Sequence, residues 1–285
     1  PMTQPAIAAQ ALGAQKLEGA ARQRMQDAAI QIFVKPAIEM LETELVNCLL
    51  ALEWTLEKGD LDVATKFHDL LGEFLITQGY WYEAIYYLTR IAEGWRKRGE
   101  YHLEAPVLYN LGSMYDRQGR WEDAIACYGN ALKIAQEFQN KNLEARALNG
   151  LGLICQAQGK WDDAAKYLKD SRQIFQTINN EVGEAEALNN LGILYLKTGR
   201  WEESVQYFRD SLKIFERLND KLKEAAVLDN LAGCYRNMQQ YEGALEYCKK
   251  SLNIYEALGN IEGRSSAIHN LGSLYYDYGD LDQAM

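Results

Sequence analysis

The segment NNLGILYLKTGRW, from Asn189 to Trp201, decides the fold because related versions of it lie on both sides. Forty residues downstream the chain reads DNLAGCYRNMQQY, from Asp229 to Tyr241. Forty residues upstream it reads NGLGLICQAQGKW, from Asn149 to Trp161. Each version contains a Leu followed by a small residue, then a short turn, then an aromatic residue. A local structure that recurs at a fixed interval is therefore predicted.

The Leu-Gly pair of this segment recurs six times, once as Leu-Ala, and each interval is 40 residues without a slip. A fixed period in this range is typical of a solenoid, in which one supersecondary unit stacks on its neighbours. The six pairs are Leu71-Gly72, Leu111-Gly112, Leu151-Gly152, Leu191-Gly192, Leu231-Ala232 and Leu271-Gly272.

Within one copy, the apolar residues are spaced as they are on helices. Leu188, Leu191 and Tyr195 follow one another at steps of three and four residues, which places them on one helix face. Gly199 then interrupts the pattern and provides the left-handed residue that a helix end favours. A second helical pattern extends over residues 201–218. Each copy is therefore predicted to be a pair of antiparallel helices, and the fold class to be all-α.

The residues that recur in every copy are interpreted as core residues and not as a cofactor site. A Gly inside a helix costs about 1 kcal/mol relative to Ala, so we expect it only where a second backbone comes close. A small residue near the start of the second helix allows the two helices to cross tightly, and an aromatic residue fills the gap beside the turn. The small residues are Ala84, Ala124, Ala164, Ser204 and Ala244, and the aromatic residues are Trp81, Trp121, Trp161, Trp201 and Tyr241.

Composition limits the possible partners and the location. The chain has 285 residues and a net charge of −10, which disfavours nucleic acid because phosphate binding requires a basic face. No stretch approaches the roughly 18 to 20 consecutive apolar residues of a membrane span, so no membrane partner is expected. The five cysteines share no spacing and read as reduced thiols of a cytoplasmic protein.

The sequence contains no pattern that predicts an enzyme, a cofactor or a metal site. The three histidines lie far apart in the chain, and no Cys/His group has metal-ligand spacing. The acidic pairs in WEDA, WDDA and WEES look like catalytic carboxylates, but each opens a second helix, where acids suit the helix dipole. No phosphate-binding loop motif is present.

The repeated segment resembles the tetratricopeptide repeat family. The residues that carry the resemblance are LGSMYDRQGRWEDAIACYGNA, from Leu111 to Ala131, and they recur in register over about residues 61–285. The usual family unit has 34 residues, so the period of 40 resembles the subgroup of Pins/LGN-type and kinesin-light-chain-like proteins. The resemblance implies a right-handed superhelix whose first helices line a concave groove, and hence a scaffold that binds a protein or peptide.

An Asn immediately before the Leu of most copies makes this groove a candidate binding site. Asn is a mediocre helix former, so its recurrence inside a helix requires a reason. Its carboxamide donates to and accepts from a peptide backbone, and in family members of this kind the equivalent Asn contacts bound peptide. A hydrogen bond to a neighbouring repeat or to an earlier carbonyl is the alternative, and for the preceding residue of each copy a solvated face remains equally open. The candidate residues are Tyr109, Asn110, Asn149, Asn189, Asn190, Asp229, Asn230, Arg236, His269 and Asn270.

The first sixty residues suggest a second hypothesis. Residues 1–60 are predicted to form helices that lead into and cap an array over 61–285, with copies starting near 61, 101, 141, 181, 221 and 261. The segment LETELVNCLLALEWTLEKGD, residues 41–60, resembles the stretch that precedes repeat arrays in bacterial STAND-type signalling ATPases. That resemblance implies that the array is the sensor domain of a regulatory ATPase whose nucleotide-binding domain lies elsewhere.

The last copy is expected to be truncated. Only LDQAM of its second helix is present, so its first helix is predicted to keep an apolar face without a partner. Such a face favours weak self-association through this end of the array.

Overall fold

The computed structural model describes residues 35–279, and their secondary structure is helical. Expectations about residues 1–34 and about the LDQAM segment therefore lie outside the described residues. The twelve helices are α1 (Lys35–Glu57), α2 (Leu61–Thr77), α3 (Trp81–Arg98), α4 (Tyr101–Arg117), α5 (Trp121–Glu137), α6 (Lys141–Ala157), α7 (Trp161–Thr177), α8 (Glu181–Lys197), α9 (Trp201–Leu218), α10 (Lys221–Asn237), α11 (Tyr241–Leu258) and α12 (Ile261–Tyr278).

The chain divides into two compact units, Pro1–Trp54 and Thr55–Met285. In the first unit the described residues, 35–54, all belong to α1, which has Pro36 in its first turn, where a missing N–H costs nothing. The second unit contains α2 to α12. The assignment of residues 1–60 as a cap on the array stays a prediction.

The second unit is a right-handed superhelical solenoid of antiparallel helix pairs. Each pair has a first helix that carries the Leu-Gly or Leu-Ala residues. The second helix of the pair begins at the Trp or Tyr that recurs every 40 residues. Turns of three residues or fewer join them, and a residue with positive φ ends many helices: Gly199 has a φ of 76°, and Asn219 has a φ of 55°. The first helices are α2, α4, α6, α8, α10 and α12.

The helix starts differ in how they are capped. Five of the six first helices begin with an Asn or Asp whose side chain accepts a hydrogen bond from the backbone N–H three residues on, for example Asp220 from Lys223 at 3.1 Å, and α4 is the exception. The second helices from α3 to α11 have no side-chain cap of this kind. Instead each carries Asp or Glu in its first turn, which is favourable at the positive end of the helix dipole.

The Leu-Gly pair lies in the core of each helix pair. A Cβ at Gly192 would lie 2.5 Å from Cε1 of Phe208 in the second helix, so only Gly fits against this ring. The neighbour that requires the Gly is thus a buried side chain, where the sequence suggested a second backbone. Ser204 is fully buried and donates a hydrogen bond of 2.7 Å to the carbonyl of Gly192, which ties the two helices together.

The aromatic residues beside the turns are less buried than the sequence suggested. Ala124 and Ala164 are fully buried, as a tight helix crossing requires, but 40% of Trp161 is exposed and Trp121 is similarly open. Trp201 and Tyr241 are half-buried. These rings therefore cover the edge of the core and do not fill it.

The two layers of the second unit are not equally spaced. Consecutive first helices from α4 to α12 contact one another directly, whereas consecutive second helices in the described residues do not come as close. A stack curves toward its more closely spaced layer. The first helices therefore line the inner side of the curve.

Candidate binding groove

The groove is defined here as the solvent-facing side of α4, α6, α8, α10 and α12. Along each of these helices, residues at steps of three and four are exposed or half-buried, while the Leu-Gly face is buried in the four helices from α4 to α10. Because the copies are 40 residues long, equivalent residues form rows that cross from one helix to the next. The ten residues proposed from the sequence lie on these helices and are exposed or half-buried, and all but Asp229 face the groove.

Two asparagine pairs connect neighbouring first helices in the centre of the groove. The Nδ2 of Asn190 donates to Oδ1 of Asn149 over 3.0 Å, which joins α8 to α6. The Nδ2 of Asn230 donates to Oδ1 of Asn189 over the same distance, which joins α10 to α8. The alternative expected from the sequence, bonding to a neighbouring repeat, therefore applies to these four side chains.

These bonds use only part of the capacity of each amide. A carboxamide has two N–H donors and an oxygen that accepts two hydrogen bonds. Each bond consumes one donor of the later Asn and one acceptor position of the earlier Asn, and all four side chains are half-buried. Donors and acceptors therefore remain available along three consecutive helices, in an orientation that the Asn–Asn bonds fix.

Tyr109 forms an aromatic surface at the α4 end of the groove. Its ring centroid lies 5.4 Å from that of Tyr128, in a tilted arrangement. The guanidinium carbon of Arg146, on α6, lies 4.2 Å from the centre of the Tyr109 ring, within the range of a cation–π interaction. Gly150 stands where other copies have Asn, and a Cβ there would lie 2.7 Å from the ring of Tyr128. Packing against Tyr128 thus explains the missing Asn.

Asp229 faces the second helix of its copy and not the open groove. Its carboxylate accepts a hydrogen bond from the hydroxyl of Ser251 on α11. Burial raises the pKa of Asp229 above its ordinary value, and hydrogen bonds from Ser251 and Tyr255 partly oppose this increase. Among the ten proposed residues, Asp229 is therefore the one whose contacts are within its own helix pair.

Ion pairs connect the last three first helices. The Nε of Arg236 lies 2.6 Å from Oδ2 of Asp277, which joins α10 to α12. Lys223 forms an ion pair with Glu186, which joins α10 to α8. The sequence identified Arg236 but missed Lys223 and Glu186. The signal was present, since position 186 lies one helix turn before the Asn row and is exposed in every copy from 106 to 266.

The remaining candidates lie at the two ends of the rows. Asn110 and Asn270 are half-buried and His269 is exposed. The acceptor Asn of each central pair lies 41 residues before the donor Asn; the position 41 residues before Asn110 holds the exposed Asp69, and the position 41 residues before Asn270 holds the Ser251-bonded Asp229. The Asn–Asn arrangement is thus formed by the central copies.

The described residues contain no group of three or more His, Cys, Asp or Glu side chains that could hold a metal ion. Within the same residues, no helix is both long enough and apolar enough to cross a membrane. All five cysteines carry free thiols.

Comparison with known families identifies the repeat. The model of the tetratricopeptide repeat matches residues 62–137, 143–217 and 223–285, which together span most of the chain. No curated protein matches the sequence at a significant level.

Solved structures of other proteins share the fold at low sequence identity. BtubC (BKLC) from P. vanneervenii is 20% identical, with a TM-score of 0.66 over 76% of this chain and 92% of that chain. A Rap protein complexed with competence and sporulation factor is 13% identical, with a TM-score of 0.61 over 94% of both chains. Aspartyl phosphate phosphatase F from Bacillus subtilis is 13% identical, with a TM-score of 0.60 over 84% of this chain and 70% of that chain.

Proposed function

Because the chain belongs to the tetratricopeptide repeat family, we propose that it is a non-enzymatic recognition scaffold that holds an extended segment of a protein partner along the groove. The family consists of repeat scaffolds, and one similar structure contains its protein complexed with competence and sporulation factor. The partner lies across α4 to α12 and contacts the ten residues named above, other than Asp229, through their exposed polar groups.

The observation that carries this proposal is the pair of asparagine bonds in the central copies. They fix Asn190 and Asn230 in equivalent positions on successive helices and leave amide donors and acceptors unused. An extended peptide presents backbone N–H and C=O groups at regular intervals, and each requires a partner when it is removed from water. A row of fixed amides satisfies these groups without reading the side chains of the partner.

The experiment first selects a peptide ligand and then replaces the groove asparagines by Ala. Dodecapeptides from a random library are selected on the whole protein, and the affinity of the best binder is measured by calorimetry. We expect Asn190→Ala and Asn230→Ala each to weaken binding at least tenfold, which corresponds to about 1.4 kcal/mol. Asn142→Ala is the matched control, because Asn142 accepts a 2.9 Å hydrogen bond from Asn180 at the helix starts, outside the central rows.

The control separates binding from stability. Each substitution removes one Asn–Asn hydrogen bond, so we expect similar losses of about 0.5–1.5 kcal/mol in the free energy of unfolding. Equal effects of Asn190→Ala and Asn142→Ala on peptide affinity would show that the central amides only connect the helices, and the proposal would then be wrong.

The second hypothesis, a sensor domain of a STAND-type ATPase, rests on residues 41–60. These residues form the later part of α1 and the turn before α2. The hypothesis stays a prediction, and the sequence encoded upstream of Pro1 tests it. A phosphate-binding loop there would favour the sensor hypothesis, and its absence from the full-length protein would contradict it.

A further inference from the structure

Aromatic pairs connect the two helices of a copy on the side of the second helices, away from the groove. Tyr195 of α8 and Tyr207 of α9 stack with ring centroids 5.2 Å apart and ring planes at 2°. Tyr235 of α10 and Tyr247 of α11 form the equivalent pair at 5.1 Å, with tilted rings. Arg200 follows the first pair, with its guanidinium carbon 4.3 Å from the centre of the Tyr195 ring.

The copy that contains α4 and α5 has the first ring of this pair but lacks the second. Tyr115 of α4 occupies the position of Tyr195, and Arg120 lies 4.3 Å from its ring centre, as in the later copy. The position of Tyr207 is taken by Cys127. The residues at this position in the successive copies are Tyr87, Cys127, Tyr167, Tyr207 and Tyr247.

A cavity of about 240 Å³ lies where the second ring is missing. Tyr115 and Cys127 line it, and Leu108 and Leu111 form its apolar floor. Ala92 enlarges it on the α3 side, because the equivalent positions of the next three copies hold larger residues, Leu132, Arg172 and Leu212. The volume is below the roughly 300–1,000 Å³ of sites for drug-sized molecules. It suits a single ring system.

The rim of the cavity is polar. Glu93 and Asn130 provide oxygen atoms that accept hydrogen bonds, and Asp123 provides its Oδ1, since its Oδ2 is paired with Arg120 at 2.6 Å. Arg96 also lies at the rim, but its Nε and Nη2 are 2.7 Å and 2.6 Å from Oε1 of the buried Glu104, so its charge is already paired. A second cavity of about 410 Å³ adjoins the first through Arg96, Leu108 and Asn130. The rim therefore favours a ligand that donates hydrogen bonds.

We propose that this cavity is a binding site for an aromatic ring with a hydrogen-bond donor, a phenol or an indole, which stacks on Tyr115 as Tyr207 stacks on Tyr195. The ring belongs either to a small molecule or to a Tyr or Trp side chain of a partner, and the chemistry of recognition is the same in both cases. The site is separate from the groove, so it adds a second recognition surface to the scaffold.

Cys127 acts in this site as an apolar wall. Burial, with a contribution from the charge of Asp123, raises the pKa of Cys127 to about 11. The thiol therefore stays protonated at neutral pH and is a poor nucleophile. Recognition is non-covalent and depends on the space beside Tyr115.

The test uses p-cresol, which is the tyrosine side chain itself, and N-acetyltyrosine amide, in which the same ring is attached to a backbone. Saturation-transfer NMR on the whole protein measures the binding of each. We expect both probes to bind to the wild type in the millimolar range, and Cys127→Tyr to weaken both at least tenfold because it fills the cavity. Cys127→Leu fills part of the same space with a smaller side chain. It replaces Cys127→Tyr in the binding test if that variant does not fold.

A second binding site can be created at the equivalent position of a later copy, which gives a matched test by gain of binding. Tyr207→Cys combined with Arg172→Ala places the small residues of the cavity, Cys and Ala, at the positions equivalent to Cys127 and Ala92 beside Tyr195, so this double variant should bind a second molecule of p-cresol. Cys127→Ala should retain binding, because it preserves the space and removes only the thiol. Asn190→Ala should retain it as well, since Asn190 lies in the groove.

The two probes distinguish the sources of the ring. Binding of both indicates that a partner side chain reaches the site, and binding of p-cresol alone indicates a small-molecule site, since the backbone of the amide is then excluded. No binding of either probe to the wild type, or binding that persists unchanged in Cys127→Tyr and Cys127→Leu, would overturn the proposal.

Discussion

At the scale of single residues, the small residue of each Leu-Gly pair is matched to the side chain opposite it. A Cβ at Gly112, Gly152 or Gly192 would lie 2.5–2.8 Å from the ring or branched carbons of Tyr128, Leu168 or Phe208. The only copy among the central ones with Ala, at Ala232, has the small Cys248 at the position of Phe208. The size of the residue on the second helix therefore decides whether the first helix tolerates a Cβ.

We predict that Gly192→Ala destabilises the protein although Ala is the better helix former. The added methyl group overlaps the fully buried ring of Phe208, and overpacking costs about 1–3 kcal/mol. Gly192→Leu should cost more and unfold the array around its fourth copy. Gly129→Ala is the matched control: nothing lies within 4 Å of its Cβ position, so we expect a gain of about 0.5–1 kcal/mol. Urea denaturation measures both changes, and effects of the same sign would contradict the packing argument.

Stability near neutral pH should depend on His68. Its side chain is buried, and burial lowers its pKa below the ordinary value of 6.5, against opposing contributions from Asp69 and the backbone of Ala84. Between the lowered pKa and 6.5, the unfolded chain binds more protons than the folded one, so the free energy of unfolding falls as pH falls. Below the lowered pKa this contribution no longer changes with pH.

The test compares the wild type with His68→Gln by urea denaturation between pH 7.5 and pH 5. We expect the wild type to lose more stability on acidification, because the variant lacks the titrating group. A difference between the two proteins that does not change with pH would show that protonation of His68 does not affect folding.

At the scale of helices, the sequence predicted more of the fold than of the site. The Leu-Gly interval and the turn residues were sufficient to place the helix pairs. Within each helix the apolar residues follow the helical spacing, and a turn residue such as Gly199 marks the end of the helix. The contacts of Asn190 could not be predicted in this way. An Asn on a helix face bonds to a ligand or to the next helix with the same chemistry, and only the spacing between α6 and α8 shows that Asn149 is within reach.

The aromatic cavity was missed for a related reason. The sequence indicates for Cys127 only a reduced thiol without regular spacing to the other cysteines, and a thiol of this kind usually acts as a small apolar side chain in a core. The signal in the sequence was the interruption of a row of tyrosines, but the ring that it leaves uncovered, Tyr115, lies on another helix. Recognising the cavity required the position of α4 relative to α5.

The first helices and the second helices should respond differently when the side chain of the residue before the first turn is truncated to Ala. Asp220 accepts a hydrogen bond from the N–H of Lys223, whereas Gln240 makes no side-chain bond to the start of α11. We predict that Asp220→Ala costs about 1 kcal/mol of unfolding free energy, and that Gln240→Ala, the matched control, changes it by less than about 0.5 kcal/mol. Thermal unfolding of both variants checks this, and a larger loss in Gln240→Ala would contradict the assigned capping pattern.

At the scale of the whole array, the second unit is stabilised mainly by contacts between neighbouring helices. Helices adjacent in the chain pack closely from α2 to α12, and the additional contacts join first helices one copy apart. The stability of such a stack is approximately the sum of the helix pairs and their interfaces. An end helix contacts other helices of the described residues on one side only, and α12 illustrates the consequence. Ile268 is about half exposed, whereas the equivalent Leu108 of α4 is buried. Ile261 on the same helix is also about half exposed, as is its equivalent Tyr101.

We predict that the protein self-associates weakly through the exposed face of α12. Burying a large aliphatic side chain contributes roughly 1.5–3 kcal/mol, so two copies that cover Ile261 and Ile268 gain enough for association at high protein concentration. Ile268→Glu should abolish the association, because a charge in the interface would lose its hydration without a partner. Leu222→Glu is the matched control: Leu222 of α10 is 49% exposed, close to the 51% of Ile268, but α10 has described helices on both sides, whereas α12 is the final helix among the described residues. Sedimentation velocity over a hundredfold concentration range measures the effect. Strictly monomeric wild type, or equal loss of association in both variants, would show that the face of α12 does not bind a second copy.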